Sequence, residues 1–189
     1  MQAALDMRQR LKAFNQRRVI EEQPQIQIVI GISSGEVVAG NIGSHKRMDY
    51  TVIGDGVNLS ARLEGVIKEY SCDIILSESI YQVCRDCVWV RQLDKIRVKG
   101  KNQAVTIYEL IGDRQKPLDS QQEEFLFHYH AGRAAYLSRN FSQALLCFQA
   151  AQKIQPGDPI VNIYMQRTEN YQKTPPPQSW DGPWQMLVK

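Results

Sequence analysis

Hydrophobic and polar positions recur along this chain with two different periods, and the switches between them mark its elements. Ala4, Leu5, Leu11, Phe14 and Ile20 stand at mixed three- and four-residue steps, which predicts an amphipathic helix over residues 3 to about 20. It opens at Met1 without a capping residue, as though cut from something longer. After Pro24 the period drops to two, and IQIVIGIS, alternating and β-branched, predicts a buried strand. GEVVAGNIG reads as a short strand between glycines, SHKRM as a polar loop and DYTVI as the next strand. The helical period returns in GDGVNLSARLEGVIKEY, with Asp55 as its N-cap and Val57, Leu59, Leu63, Val66 and Ile67 as its apolar side. DIILS is then a strand and ESIYQVCRD a helix, and VWVRQLDKIRVKG and AVTIYELIG are two strands joined by a turn around residues 100–103. Strands interleaved with crossover helices predict an α/β or α+β layer ending near Gly112.

Beyond Gly112 the pattern changes character. DRQKPLDSQQ is polar and contains Pro117, so residues 113–122 read as a linker. Residues 123–172 read as an α-helical hairpin in which Gly132, Ala134, Phe141, Ala144, Phe148, Ala151 and Pro156 stand at tetratricopeptide-like spacing. The small residues let two helices approach and the aromatics fill the space between them. One such repeat cannot bury its own apolar face, so it is expected to pack on something else. The tail, residues 173–189, begins as a polyproline-like TPPP and then presents Trp180 and Trp184. These tryptophans are expected to fold back over the hairpin, in preference to the tail serving as a proline-rich ligand.

Composition narrows the function classes. The 189 residues are 43% hydrophobic and 23% charged, values of a folded soluble chain. No apolar run is long enough to span a bilayer, and the first twenty residues lack the apolar core of a secretory signal, so a cytoplasmic location is expected. The net charge of +3 is small and dispersed, which argues against nucleic acid as a partner. Arg8, Arg10, Lys12, Arg17 and Arg18 read as the wet face of the first helix. Cys84 and Cys87 form a C-x-x-C, but no second pair or flanking histidine completes a metal site, so they read as ordinary thiols. His128 and His130, two apart on a helix, point in different directions and read as structural.

Residues 31–64, GISSGEVVAGNIGSHKRMDYTVIGDGVNLSARLE, carry the chemistry. Asn58 and Arg62 are four apart on one helix, so both side chains can meet the same ligand. An amide suits hydroxyl recognition, and a guanidinium offers a fork to phosphate. On spacing alone the stretch could equally be a hairpin with turn glycines and a helix bearing a solvated arginine, since it contains neither a Walker loop nor a dinucleotide fingerprint.

The motif as a whole resembles the class III nucleotidyl cyclases, whose pattern is G-I-x-x-G-x-x-x-x-G-x-x-G, then Y-[T/D/C]-x-x-G-x-x-V-N-x-x-x-R. It stands here as Gly31-Ile32, Gly35, Gly40 and Gly43, then Tyr50, Thr51, Gly54, Val57, Asn58 and Arg62. RVKGK at 97–101 and YEL at 108–110 match the end of that domain, so the resemblance covers residues 1–112. It implies an α+β fold, a ferredoxin-like nucleotidyl cyclase layer incomplete at its N-terminus and followed here by the helical hairpin. It also implies formation of a 3′,5′-cyclic nucleotide and pyrophosphate from a nucleoside triphosphate. By the same resemblance Thr51 reads the purine edge and favours ATP, where guanylate cyclases carry Cys. Asn58 orients the ribose, Arg62 stabilises charge developing on the phosphoryl oxygens, and Lys99 holds the terminal phosphates.

One departure stands out. The family's F-x-D strand and G-D hairpin, whose aspartates bind Mg²⁺ or Mn²⁺, and a lysine that reads adenine, have no counterpart here. Asp49 and Asp55 do not replace them, so the metal ligands are expected outside this chain. They would come from a second cyclase protomer or from the absent half of the domain. The expectation is therefore part of an adenylate cyclase, inactive alone. A non-catalytic cyclase-homology partner and a guanylate cyclase are the alternatives.

Overall fold

The computed structural model describes residues 1–44, 47–97, 104–180 and 182. Its elements are α1 (Gln2–Ile20), β1 (Ile30–Ile32), β2 (Val38–Ser44), β3 (Arg47–Ile53), α2 (Asp55–Tyr70), β4 (Ile74–Ser77) and α3 (Glu78–Cys84). They continue with β5 (Val88–Arg97), β6 (Ala104–Asp113), α4 (Ser120–Leu137), α5 (Phe141–Ile154) and α6 (Pro159–Lys173). The fold is thus mixed α+β. Two compact units divide it: Met1–Val90 with Tyr108–Gln115, and Arg91–Ile107 with Lys116–Lys189. A four-stranded sheet runs β1-β4-β6-β5, and β2 and β3 form a separate two-stranded sheet.

In the first unit β1 and β4 pair in parallel, Ile30 opposite Ile74 and Ile32 opposite Leu76. Parallel neighbours need a crossover, and α2 belongs to the connection that supplies it. Leu63, Val66, Ile67 and Tyr70 of α2 and Ile74, Ile75 and Leu76 of β4 are all buried. Gly31 lets helix and strand approach: a Cβ there would lie 2.5 Å from the Ser60 carbonyl oxygen and 3.0 Å from Leu63 Cβ. A second cluster joins Ala4, Ile74, Leu76, Cys84, Val88, Tyr108 and Leu110. Tyr108 stacks on Tyr81 with centroids 4.0 Å apart, and its hydroxyl lies 2.7 Å from a Glu78 carboxylate oxygen that accepts from it. Cys84 is part of this core, and burial pushes its thiol above the usual range, while Cys87 is exposed.

Three sequence expectations change in this unit. The strand expected over IQIVIGIS is laddered only at Ile30–Ile32. Upstream, the Asn15 amide occupies both backbone groups of Ile26, accepting its N–H at 2.9 Å and donating to its carbonyl at 2.7 Å. That tie binds the segment to α1 in place of a strand. Arg8 is not on a wet face; it donates to both carboxylate oxygens of Asp73, at 2.5 and 2.6 Å, and to the carbonyls of Leu110 and Ile111. Asp55, expected as the cap of α2, is its first helical residue, and the cap position belongs to Gly54. A Cβ on Gly54 would sit 2.6 Å from the Glu36 carbonyl oxygen, which leaves no room for a capping side chain there.

The second unit has helices that begin sharply. Asp119 accepts from the Gln122 N–H at 2.7 Å and the Gln122 side chain accepts from the Asp119 N–H, a capping box. Helix α4 therefore starts inside the stretch read as a linker. Asn140 and Asp158 cap α5 and α6 by accepting from the Gln143 and Val161 N–H groups, the latter ahead of Pro159. The expected pair of helices corresponds to α4 and α5, and a third helix, α6, follows. Phe148 packs so closely on α4 that a Cβ at Gly132 would lie 2.7 Å from its ring. Trp180 lies against Tyr136, Phe141 and Tyr171, with centroids 5.4 to 6.3 Å apart.

These helices also grip β5, which ends the sheet order. An unpaired strand edge exposes carbonyls that need partners. Tyr129 of α4 donates to the Gln92 carbonyl at 2.9 Å and Tyr164 of α6 to the Leu93 carbonyl at 2.5 Å. Burial pushes the Tyr164 phenol up to about 12, with Asp94 adding to the shift, so it stays a donor at neutral pH. Two buried ion pairs flank these bonds: Arg91 to Asp158 at 2.8 Å and Arg167 to Asp94 at 2.6 Å, every side chain 6% exposed or less.

Candidate functional site

The candidate site is built around the N-terminal turn of α2. Segment 34–37 crosses this turn with only glycine between the two backbones. A Cβ on Gly56 would lie 3.2 Å from the Gly35 nitrogen, and one on Gly35 3.4 Å from the Gly56 Cα. Glycines at 35, 54 and 56 thus bring main chain onto main chain, and Asn58 and Arg62 project from a helix start fixed at close quarters. Their four-residue spacing puts them on one face, one turn apart. Asn58 is exposed and Arg62 half-buried, and among the described residues neither side chain makes a hydrogen bond or ion pair.

Thr51 lies on β3, the strand that leads through Gly54 into α2. It pairs across the hairpin with Gly40, where a Cβ would meet nothing within 4 Å. The Thr51 hydroxyl is exposed, and its cross-strand neighbour leaves open space beside it. Asn58 and Arg62 therefore share a helix face, Thr51 sits on the hairpin feeding that helix, and Lys99 lies outside the described residues. The same hairpin exposes apolar side chains on both faces, Val38 (72%) opposite Ile53 (52%) on one and Met48 (59%) and Tyr50 (75%) on the other.

Among the described residues no group of three or more His, Cys, Asp or Glu could hold an ion. Likewise, no helix among them is long and apolar enough to cross a membrane.

Arg91, Asp94, Asp158 and Arg167 escaped the sequence reading. Their pairing joins residues more than sixty positions apart, which no local pattern encodes. A signal was present for α4, however: Asp119 and Gln122 stand at capping-box spacing.

Comparison with known proteins gives the family. Residues 1–112 match the family described as Adenylate and Guanylate cyclase catalytic domain, and the chain belongs to that family. It is 41% identical over 117 residues to Adenylate cyclase of Anabaena cylindrica, covering 58% of this chain and 23% of that protein. With Adenylate cyclase 1 of Rhizobium meliloti it shares 37% over 109 residues, 58% of this chain and 16% of the other. The crystal structure of the adenylyl cyclase CyaB from P. aeruginosa superposes with a TM-score of 0.52 at 31% identity, over 60% of this chain and 58% of that one. The guanylyl cyclase Cya2 gives 0.50 at 33%, over 60% and 56%. The chain thus spans less than a quarter of the curated relatives' length and under two thirds of these solved chains.

Proposed function

We propose that this chain supplies the base-, ribose- and phosphate-holding part of an adenylate cyclase that forms cyclic AMP and pyrophosphate from ATP in intracellular signalling. The observation that carries the reading is the pair Asn58 and Arg62, one turn apart at a glycine-tight helix start, without protein partners among the described residues.

The ribose 3′-oxygen attacks the α-phosphorus. One P–O bond forms, the bond to the bridging oxygen of pyrophosphate breaks, and the 3′-hydroxyl proton is lost. Asn58 holds the ribose so that the 3′-oxygen is in line, a positioning contribution. Arg62 faces charge that grows on the phosphoryl oxygens as the bond breaks, so its contact strengthens in the transition state. Thr51 exchanges hydrogen bonds with the adenine edge. Lys99 meets triphosphate charge already present in the ground state. A divalent Mg²⁺ or Mn²⁺ would supply acidity at the hydroxyl and charge neutralisation at the triphosphate. Its ligands are supplied from outside this chain, by a second cyclase protomer or the remaining half of the domain. The exposed apolar side chains of β2 and β3 give such a protomer a surface to cover. The assembly works in the cytoplasm.

Purified chain, with ATP and either metal, is expected to make no cyclic AMP. Mixed with a cyclase protomer that carries the metal carboxylates but has its own Asn and Arg removed, it is expected to restore activity. Turnover by the chain alone would overturn the proposed division of labour. Failure of every such mixture would leave the chain a non-catalytic interaction module, and preference for GTP in the restored enzyme would make it a guanylate cyclase.

A further inference from the structure

We infer that the α4–α5 turn and the end of α6 form a recognition site for a proline-rich, tryptophan-bearing segment of a partner protein, and that residues 174–180 occupy this site in cis as a displaceable strap. Helix α6 stops at Lys173, and the Thr174 N–H still donates to the Asn170 carbonyl at 2.8 Å. Three prolines follow, Pro175 to Pro177. Proline has no N–H and a fixed φ, so the run cannot continue the helix and leaves its carbonyls to outside donors. Arg139, at the left-handed turn that ends α4, is that donor. Its guanidinium bonds to the Pro176 carbonyl and, at 3.1 Å, to the Pro177 carbonyl. The Trp180 N–H then donates back to the Pro177 carbonyl at 3.0 Å, a turn that folds the indole onto the helices. Tyr136 and Tyr171 meet it edge-on, each with its centroid 5.4 Å away, and the Arg139 guanidinium lies 6.0 Å from the indole centroid.

An aromatic face with a donor beside it for proline carbonyls is the chemistry that reads proline-rich segments, because a run of prolines is already extended and loses little freedom when it docks. Two observations separate a displaceable ligand from fixed packing. The strap is lightly held: of residues 174–180 only Pro176 is buried and Trp180 half-buried, while the others, and Arg139 itself, are exposed. An exposed charge on carbonyls exchanges readily with water, unlike the buried Arg167–Asp94 pair. The strap also leaves room. A cavity of 420 Å³ beside Pro175 is lined by Asn140, Ser142 and Gln172 and shares Arg139, Phe141 and Tyr171 with the strap's own site. This tail enters from Lys173 and leaves that space open; a segment not tethered to α6 can run through it.

The test uses the full chain and a fluorescent synthetic peptide of residues 174–180, TPPPQSW, with binding read by anisotropy. In Trp180→Ala the strap loses its indole and the site opens. The peptide is therefore expected to bind that variant at least about tenfold more tightly than wild type, whose site is mostly occupied. Adding Arg139→Gln is expected to weaken this binding about tenfold. Peptides in which the tryptophan, or all three prolines, are replaced by alanine are expected to bind at least about tenfold more weakly. No binding to a folded Trp180→Ala chain, equal affinity for wild type and variant, or indifference to Arg139→Gln or to the peptide changes would overturn the inference. If Trp180→Ala does not fold, amide exchange at Trp180 of the wild-type chain takes its place. Excess unlabelled peptide is expected to quicken that exchange about fivefold or more as the strap is displaced, and unchanged exchange would overturn the inference. A wild-type dimer that forms with rising concentration and is lost in Trp180→Ala would give the site to a second copy's tail, and would overturn the partner assigned here.

Discussion

The two units use polar side chains in opposite ways. Around α2, Asn58 and Arg62 stand on a scaffold tightened by glycines and make no side-chain bond among the described residues. Around β5, Arg91, Asp94, Asp158 and Arg167 are buried and spent on one another. A polar group satisfied inside the fold contributes to structure, and its removal strands a partner. A polar group held in place without a partner contributes little to stability and keeps its bonding capacity for something that arrives. Exposure and satisfaction together, more than residue type, separate the two roles.

Substitution should expose this contrast most strongly at the buried pairs. Asp94→Ala leaves the Arg167 guanidinium buried without its carboxylate and is expected to cost about 3–5 kcal/mol of stability, read by urea unfolding. A loss below about 1 kcal/mol would show the pair to be solvated. Arg62→Ala is expected to behave oppositely: a near-normal unfolding midpoint, but a fall in kcat of about a hundredfold or more in the complemented enzyme, with little change in KM. Steady-state kinetics showing a changed KM at constant kcat would reassign Arg62 to ground-state binding.

Smaller effects sharpen the comparison. Gly132→Ala drives a methyl to 2.7 Å from the Phe148 ring and is expected to destabilise by about 1–3 kcal/mol, with thermal unfolding as the check. Thr51→Cys should leave stability unchanged and shift the ATP-to-GTP preference by about 1–3 kcal/mol, measured as a ratio of kcat/KM in competition. The smallest expected effect is that of Asn58→Ala on unfolding, within about 0.5 kcal/mol, because the side chain is exposed and makes no bond among the described residues. A large loss there would place Asn58 with the structural polar residues after all.

Much of this protein was already determined by the sequence alone. The helical period of residues 3–20 and 55–70 and the two-residue period of β3 and β6 reappear as elements within a few positions, because periodicity is a local property. The family motif placed Asn58 and Arg62 on one helix for the same reason, and comparison of residues 1–112 with known proteins places the chain in that family. Tertiary structure decided what depends on distant partners. It kept IQIV out of the ladder, with the Ile26 backbone given to Asn15, and took Arg8 from the surface to Asp73. It moved the cap of α2 onto Gly54, where the Glu36 carbonyl leaves no space for a side chain. It also turned Arg91 and Asp94, ordinary charges within a strand pattern, into anchors for α6. A charge becomes structural only when folding removes its water and supplies a counter-charge, and that counter-charge lies more than sixty residues away.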